Sequence, residues 1–267
     1  MNSIIQNFKK GFSTFDLKVI GIILMLIDHL HQMFVPFGAP NWLDWFGRPV
    51  ATIFFFVSVV GFSHTHNKRK YMLRLYTSMV LMSLFTFSLE KIVHYDQVIL
   101  TNNIFHDLFI GTIFMLAIDK LKDNQKPIKN SIIGISLFIL PFATSIIIPL
   151  LTVIKVPIPI LIGVTSFVPS IALTENNLMV LLIPLMYLFR DNLKIQCLLI
   201  ALTALIYGGL QLAGLMQVNQ WLMIFAAILI WFYNNKKGPG IKYFFYIFYP
   251  AHIGILYLIS AFLYIHH

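Results

Sequence analysis

The chain reads as an all-α, polytopic membrane helical bundle of about nine transmembrane helices, with the N-terminus inside and the C-terminus outside. Three observations predict this. The composition is 58% hydrophobic and 11% charged, with a mean hydropathy of +0.82, outside the range of soluble domains. Apolar runs of about 20 residues, the length that crosses a bilayer, recur along the whole chain. The lysines and arginines gather in short loops between those runs.

Helices are expected at 16–36, 48–64, 71–90, 104–120, 131–151, 177–189, 195–213, 218–233 and 243–264. The first apolar run, Phe15 to Val35, carries Asp28 and His29 and is followed by no small-residue cleavage site, so it is expected to stay as the first helix rather than act as a signal peptide. The stretch 155–176 is apolar but broken by Pro157, Pro159, Gly163 and Pro169. It is read as a short tenth helix or as a re-entrant or surface-lying segment, because broken backbone survives at membrane depth only where protein or water covers it. No stretch is long enough for a separate soluble domain, so residues 1–267 are expected to form a single integral membrane domain.

Charge sets the orientation. Nine spans with the N-terminus inside place Lys9, Lys10, Lys18, Lys68, Arg69, Lys70, Arg74, Lys120, Lys122, Lys126, Lys129, Arg190, Lys194, Lys236, Lys237 and Lys242 on the cytoplasmic side, 16 of the 19 basic residues. Only Arg48, Lys91 and Lys155 fall outside. A tenth full span at 157–172 would send the last five basic residues out. The net charge of +9 is therefore a statement about topology, and a nucleic-acid partner is not expected. The single cysteine, Cys197, lies in an apolar run and permits neither an intramolecular disulfide nor a multi-thiolate metal site.

Polar residues inside apolar runs carry the functional signal. Asp28 and His29 sit side by side in the first helix, where ionisable groups cost several kcal/mol unless they face a partner or a wet cavity. His29 lies about 20 Å up that helix from Asp16. Arg48 opens the second helix from the outer side, and Asn102, Asn103, His106 and Asp107 open the fourth. His252 lies about 14 Å into the last. These groups share the middle-to-outer layer. Each has a structural alternative: Asp28 as an ion pair with Arg48, His29 as a hydrogen-bond donor between helices, His106-Asp107 as a helix-entry pair. His31 is expected near the outer interface, and His64 and His66 beside the cytoplasmic basic cluster.

A metal site is not expected, since His29 and His31 point about 200° apart around a helix and the zincin spacing is absent. No Gly-x-Ser-x-Gly or rhomboid-type serine motif is present. A base acting on an acceptor fits better, because an imidazole with an ordinary pKa of about 6.5 is readily poised as a general base. The cytoplasmic rim, Lys68, Arg69, Lys70, Arg74, Lys236 and Lys237 with Lys120, Lys122, Lys126 and Lys129, is either ordinary positive-inside bias or a landing site for a phosphorylated donor.

These residues resemble a known family, the TraX-type membrane proteins, over nearly the whole chain. Leu17-Lys18 with Met25-Leu26-Ile27-Asp28-His29 is similar to that family's first-helix motif. Arg48-Pro49, the run Ile53 to Val57, Gly61, Asn67, Tyr71 and Arg74-Leu75 are similar to its second. The tail from Tyr233-Asn234-Asn235 through Lys236-Lys237-Gly238 to Phe245-Tyr246-Ile247-Phe248-Tyr249-Pro250-Ala251-His252 is similar to its last. One departure lies in helix two, where the family usually has Ala-Phe-Pro and this chain has Pro49-Val50-Ala51-Thr52.

The resemblance implies an acetyl-CoA-dependent acetyltransferase of the bacterial inner membrane, since the family's associated activity is N-acetylation of a conjugative pilin subunit. It is similar also to the broader class of transmembrane acyltransferases, which use a first-helix histidine. It implies His29 as the catalytic histidine, Asp28 as its companion, and Arg48 and His252 as further site residues. Acetyl-CoA is then the donor substrate, with its nucleotide end against Lys68, Arg69, Lys70, Arg74, Lys236 and Lys237. Arg48, Asn102 or Asn103 would stabilise the oxyanion, and transfer would be direct or through an acyl-histidine. The expected acceptor is a pilin-like or other peptide N-terminus. An envelope glycan acceptor, a transporter of a small anion or lipid, and a non-catalytic assembly protein are the rival readings.

Overall fold

The computed structural model describes residues 11–216, 219–240 and 242–266; Lys9, Lys10 and His267 lie outside the described residues. Among the described residues ten α-helices follow one another: α1 Thr14–Phe34, α2 Arg48–Ser63, α3 Lys68–Val93, α4 Ile104–Lys122, α5 Pro127–Val153, α6 Ile158–Phe167, α7 Leu182–Leu188, α8 Leu193–Leu212, α9 Ile224–Trp231 and α10 Lys242–His266. Short 3-10 turns lead into α2, α7 and α9. Among the described residues six stretches are long and apolar enough to cross a membrane: Thr14–Phe37, Asn41–Ser63, Lys68–Val93, Pro127–Val153, Leu193–Leu212 and Tyr243–His266. The outer surface is apolar, with Leu212 92%, Ile146 74% and Leu205 67% exposed, a surface suited to hydrocarbon rather than water.

The chain divides into two compact units. The first comprises Met1–Val57, Leu89–Ile99 and Phe189–His267, the second Ser58–Ser88 and Leu100–Leu188.

In the first unit, Ser13 starts α1. Its hydroxyl accepts from the Asp16 N–H while the Asp16 carboxylate accepts from the Ser13 N–H at 2.8 Å, a reciprocal cap that moves the helix start ahead of the expected residue 16. The next two amides donate to the loop before α10: Thr14 N to the Lys236 carbonyl at 2.8 Å and Phe15 N to that of Lys237 at 3.2 Å. Gly238, at φ +70°, lets this loop approach; a Cβ there would fall 2.6 Å from the Ser13 hydroxyl. The Tyr233-to-Gly238 block is thus a clamp on the N-terminal end of α1.

From that end α1 and α10 rise side by side in the same direction. Lys18 lies over the Phe245 ring, His29 meets His252, and the Met33 carbonyl accepts from the Ser260 hydroxyl at 2.6 Å. Tyr95 donates to Ser260 at 2.9 Å and receives the Tyr257 hydroxyl on its carbonyl. α2 runs antiparallel to α1, with Gly21 under Phe54 and Asp28 against Gly47. Leu17, Met33, Ile53, Phe55, Phe56 and Tyr257 form the buried core.

In the second unit, α4 and α5 are antiparallel, Gly134 packing on Ala117 and Leu121. α7 instead runs parallel to α4: Asn176 precedes it beside Asp107, Ile183 packs on Gly111, and Tyr187 donates to Asp119 at 2.8 Å. The proline-broken stretch 155–176 folds as α6, whose 10 residues are about half the length a crossing needs, and a strap, 168–176, that contains the 3-10 turn Ile171–Leu173. The strap is held by polar side chains of three helices. Thr144 donates to the Pro169 carbonyl at 2.6 Å, Ser145 bonds Ser170 at 3.0 Å, and Tyr76 donates to the Phe167 carbonyl at 3.2 Å. His106 Nε2 accepts from the Ser170 N–H at 3.2 Å.

Asp107 is the deepest anchor of the strap. It is fully buried, and its carboxylate accepts from Glu175 N at 2.8 Å, Asn176 N at 3.1 Å and Asn176 Nδ2 at 2.7 Å. Asp107→Ala would leave these donors without their acceptor, at about 1–3 kcal/mol for each that stays dry. The expected outcome is a thermal unfolding midpoint lowered by several degrees and new proteolytic cleavage within 170–176. Asp107→Asn, keeping one acceptor oxygen, should lose less. An unshifted midpoint in the alanine variant would refute the anchoring role.

Candidate active site

The first unit brings His29 and His252 together. They are 2% and 6% exposed, their rings lie edge to edge at an interplanar angle of 11° with centroids 4.9 Å apart, and His29 Nδ1 lies 2.7 Å from His252 Nε2. His252 is placed by the turn around Pro250, which lacks a main-chain donor. Its Nδ1 reaches back to the Phe248 carbonyl at 2.7 Å, and its ring stacks on Phe248. Tyr249, 3% exposed, closes the pair edge-on, with its ring centroid 6.2 Å from that of His29.

This chain of contacts fixes the hydrogens. A carbonyl only accepts, so His252 Nδ1 carries a hydrogen. In a neutral ring His252 Nε2 is then the acceptor, and His29 Nδ1–H donates to it. The neutral His29 consequently bears its lone pair on Nε2. The arrangement holds the His29 imidazole in one defined tautomer, as a carbonyl partner on the far nitrogen does for histidines elsewhere.

Asp28 is half-buried one residue away, its carboxylate packed on Gly47 at the start of α2. Arg48 pairs with Asp44, four residues back, and its Nη1 lies 3.4 Å from Gln220 Oε1. Asp44, Gly47, Gln220, Phe248 and Tyr249 are neighbours of the site that the sequence reading does not assign. The Asp44/Arg48 spacing is legible in the sequence. The carbonyl of Phe248 and the space at Gly47 are not.

The second unit holds the other predicted residues. Asn103 caps α4 through its side-chain oxygen and donates to the Met79 carbonyl and the Ser83 hydroxyl; its N–H donates to Glu175. Asn102 is buried beside it. With His106 and Asp107 on the strap, this group forms a helix-entry scaffold, the structural alternative named above. Of the rim, Lys68 is committed to Asp119 at 2.5 Å and lies over Phe62. Arg69 and Lys70 are exposed, and Arg74 lies over Tyr71. In the first unit Lys236 and Lys237 are exposed at the N-terminal end of α1. Among the described residues no group of three or more His, Cys, Asp or Glu side chains is placed to hold a metal ion.

The chain is similar to a probable fimbrial assembly protein FimC, serogroup H1, of Dichelobacter nodosus, 28% identical over 263 residues that cover 92% of this chain and 94% of that protein. No solved structure matches it. The profile of the TraX protein family matches residues 13–260, a span that begins at the α1 cap and runs past His252 to Ser260. The chain belongs to the TraX protein family.

Proposed function

We propose that this protein is an acetyltransferase of the bacterial cytoplasmic membrane, moving an acetyl group from cytoplasmic acetyl-CoA to the amino terminus of an exported, pilin-like peptide. The observation that carries the reading is the buried His29–His252 pair with the base face of His29 on Nε2. An imidazole held in one tautomer inside an apolar unit fits proton abstraction from an attacking acceptor. A relative bearing the name of a fimbrial assembly protein favours a peptide acceptor over a glycan.

Nine spans with the N-terminus inside are part of the proposal. Parallel α1 and α10 call for an odd number of crossings if both span, and the six long apolar stretches are even in number. Parallel α4 and α7 call for 155–176 to begin and end on one side. Counting α4 and the stretches Asn177–Leu188 and Gln220–Trp231 as crossings meets both conditions.

In the proposed mechanism the donor's phosphates meet Lys236 and Lys237, whose carbonyls cap α1 about 21 Å below His29 along that helix. The pantetheine arm runs upward beside α1. His29 Nε2 takes the acceptor's proton as its nitrogen attacks the thioester carbonyl, and Arg48 faces the developing oxyanion. Lys68, neutralised by Asp119, belongs to the scaffold in this reading.

The test is thermal unfolding of the detergent-purified chain against acetyl-CoA, with CoA, acetate and ATP as controls, followed by transfer of labelled acetyl to a peptide with a free amino terminus. Saturable stabilisation by CoA species should reach about 2.7 kcal/mol at a hundred times Kd. No stabilisation at millimolar acetyl-CoA and no labelled peptide would overturn the proposal.

A further inference from the structure

We infer that His252 is the proton reservoir of this site, a positioning residue that takes the proton His29 removes and returns it to the leaving group. The inference rests on the acetyltransferase reading for its chemistry, but its structural basis is independent of it.

The pair is directional. The Phe248 carbonyl, 2.7 Å from His252 Nδ1, keeps that hydrogen in place whether His252 is neutral or charged. His252 Nε2, 2.7 Å from His29 Nδ1, is the one position on the second ring where a further proton can be accepted. A proton arriving at His29 Nε2 can therefore be matched by transfer of the Nδ1 hydrogen to His252 Nε2. The charge then sits on the ring that has a carbonyl partner on one side and a stacked Phe248 face, 4.6 Å away, on the other. An aromatic face is a favourable neighbour for a cation. No carboxylate is required to hold the charge, which distinguishes this arrangement from a base oriented by an acid.

The step balances. The acceptor N–H proton passes to His29 Nε2 while the new C–N bond forms; the His29 Nδ1 hydrogen passes to His252 Nε2. When the C–S bond breaks, both shifts reverse, the proton leaves His29 Nε2 for the CoA thiolate, and the two rings return to their starting tautomers. Nothing is oxidised, and no co-reactant is needed.

The test has two arms, both on the full chain in lipid nanodiscs. In the first, nitrogen NMR of 15N-histidine-labelled protein, assigned with single histidine variants, reads the tautomers directly. Both His29 and His252 should carry hydrogen on Nδ1, the less common form of a free imidazole; hydrogen on His29 Nε2 in the neutral protein would overturn the inference. In the second, His252→Gln offers His29 an acceptor oxygen but cannot take a proton. Acetyl transfer to a short peptide with a free amino terminus should lose about a hundredfold in kcat, the scale of acid–base assistance, with KM for acetyl-CoA unchanged. The dependence of rate on deuterium fraction should be curved in the natural chain and linear in the variant. A His252→Gln enzyme with natural kcat and unchanged curvature would overturn the relay. If the natural chain itself transfers nothing from acetyl-CoA, the functional reading fails, and the tautomers still decide the pair.

Discussion

His29→Asn is expected to reduce acetyl transfer by about a thousandfold, within the range of general-base contributions, while leaving the protein folded and able to bind its donor. Asparagine is chosen because its side-chain amide can occupy the place of the imidazole Nδ1–H and donate to His252 Nε2, so the buried acceptor keeps a partner. The alternative, alanine, would leave that nitrogen unsatisfied and add about 1–3 kcal/mol of destabilisation to whatever it does to chemistry. The measurement is a pair of assays on one preparation: stabilisation by acetyl-CoA, expected to match the natural chain, and labelled acetyl transfer to peptide, expected to vanish into background. A transporter reading predicts the reverse emphasis, substrate counterflow without any need for CoA. A purely structural assembly role predicts no loss of function at all. Full transfer by His29→Asn would remove this residue from the mechanism.

How much of this was open to sequence reasoning differs between fold and site, for physical reasons. Apolar length and basic loops place the long helices within a few residues, because both are local properties. The start of α1 is off by two residues, since the Ser13/Asp16 cap is a spacing signal that hydropathy does not register. The expected helices 177–189 and 218–233 begin instead with the 3-10 turns Asn177–Leu181 and Gln220–Met223, a change of winding that leaves the apolar pattern unaltered. For the site, Asp28, His29 and His252 each stand out as polar groups in apolar runs. Their depths along two helices are estimable at 1.5 Å per residue. Rotation about each helix axis is not, and it is rotation that turns His29 toward His252. The carbonyl of Phe248, which orders the whole pair, has no side-chain signature. His106-Asp107 reads in the sequence as either a helix-entry pair or a supporting element of the site, and the backbone partners of Asp107 at Glu175 and Asn176, which make it the anchor of the strap, lie too far along the chain to be read there.

Gly47→Ala is expected to act as an Asp28 variant in disguise. Gly47 has φ −72° and ψ −30°, a helical conformation open to any residue, so the backbone does not call for glycine there. The space does. A Cβ at this position would overlap the Asp28 carboxylate, all three of whose heavy atoms lie within contact of it. The short Asp28 side chain can yield only by rotating away from Gly47, which takes its carboxylate out of its present place beside the start of α2. The cost to folding is therefore modest, because a side chain moves and not the backbone. The cost to function is on the order of a hundredfold, the scale of a misplaced site group, if Asp28 orders the site. Three enzymes decide it: Gly47→Ala, Asp28→Asn and the double variant. Groups acting through one contact do not add, so the double variant should transfer no more slowly than the worse single one. Gly209→Ala in α8, where a Cβ meets nothing within 4 Å, is the control for adding a methyl group to a helix and should be neutral. Additive losses in the double variant would mean that Gly47 matters through the main chain or through Arg48 instead, and would separate Asp28 from the turn that now covers it.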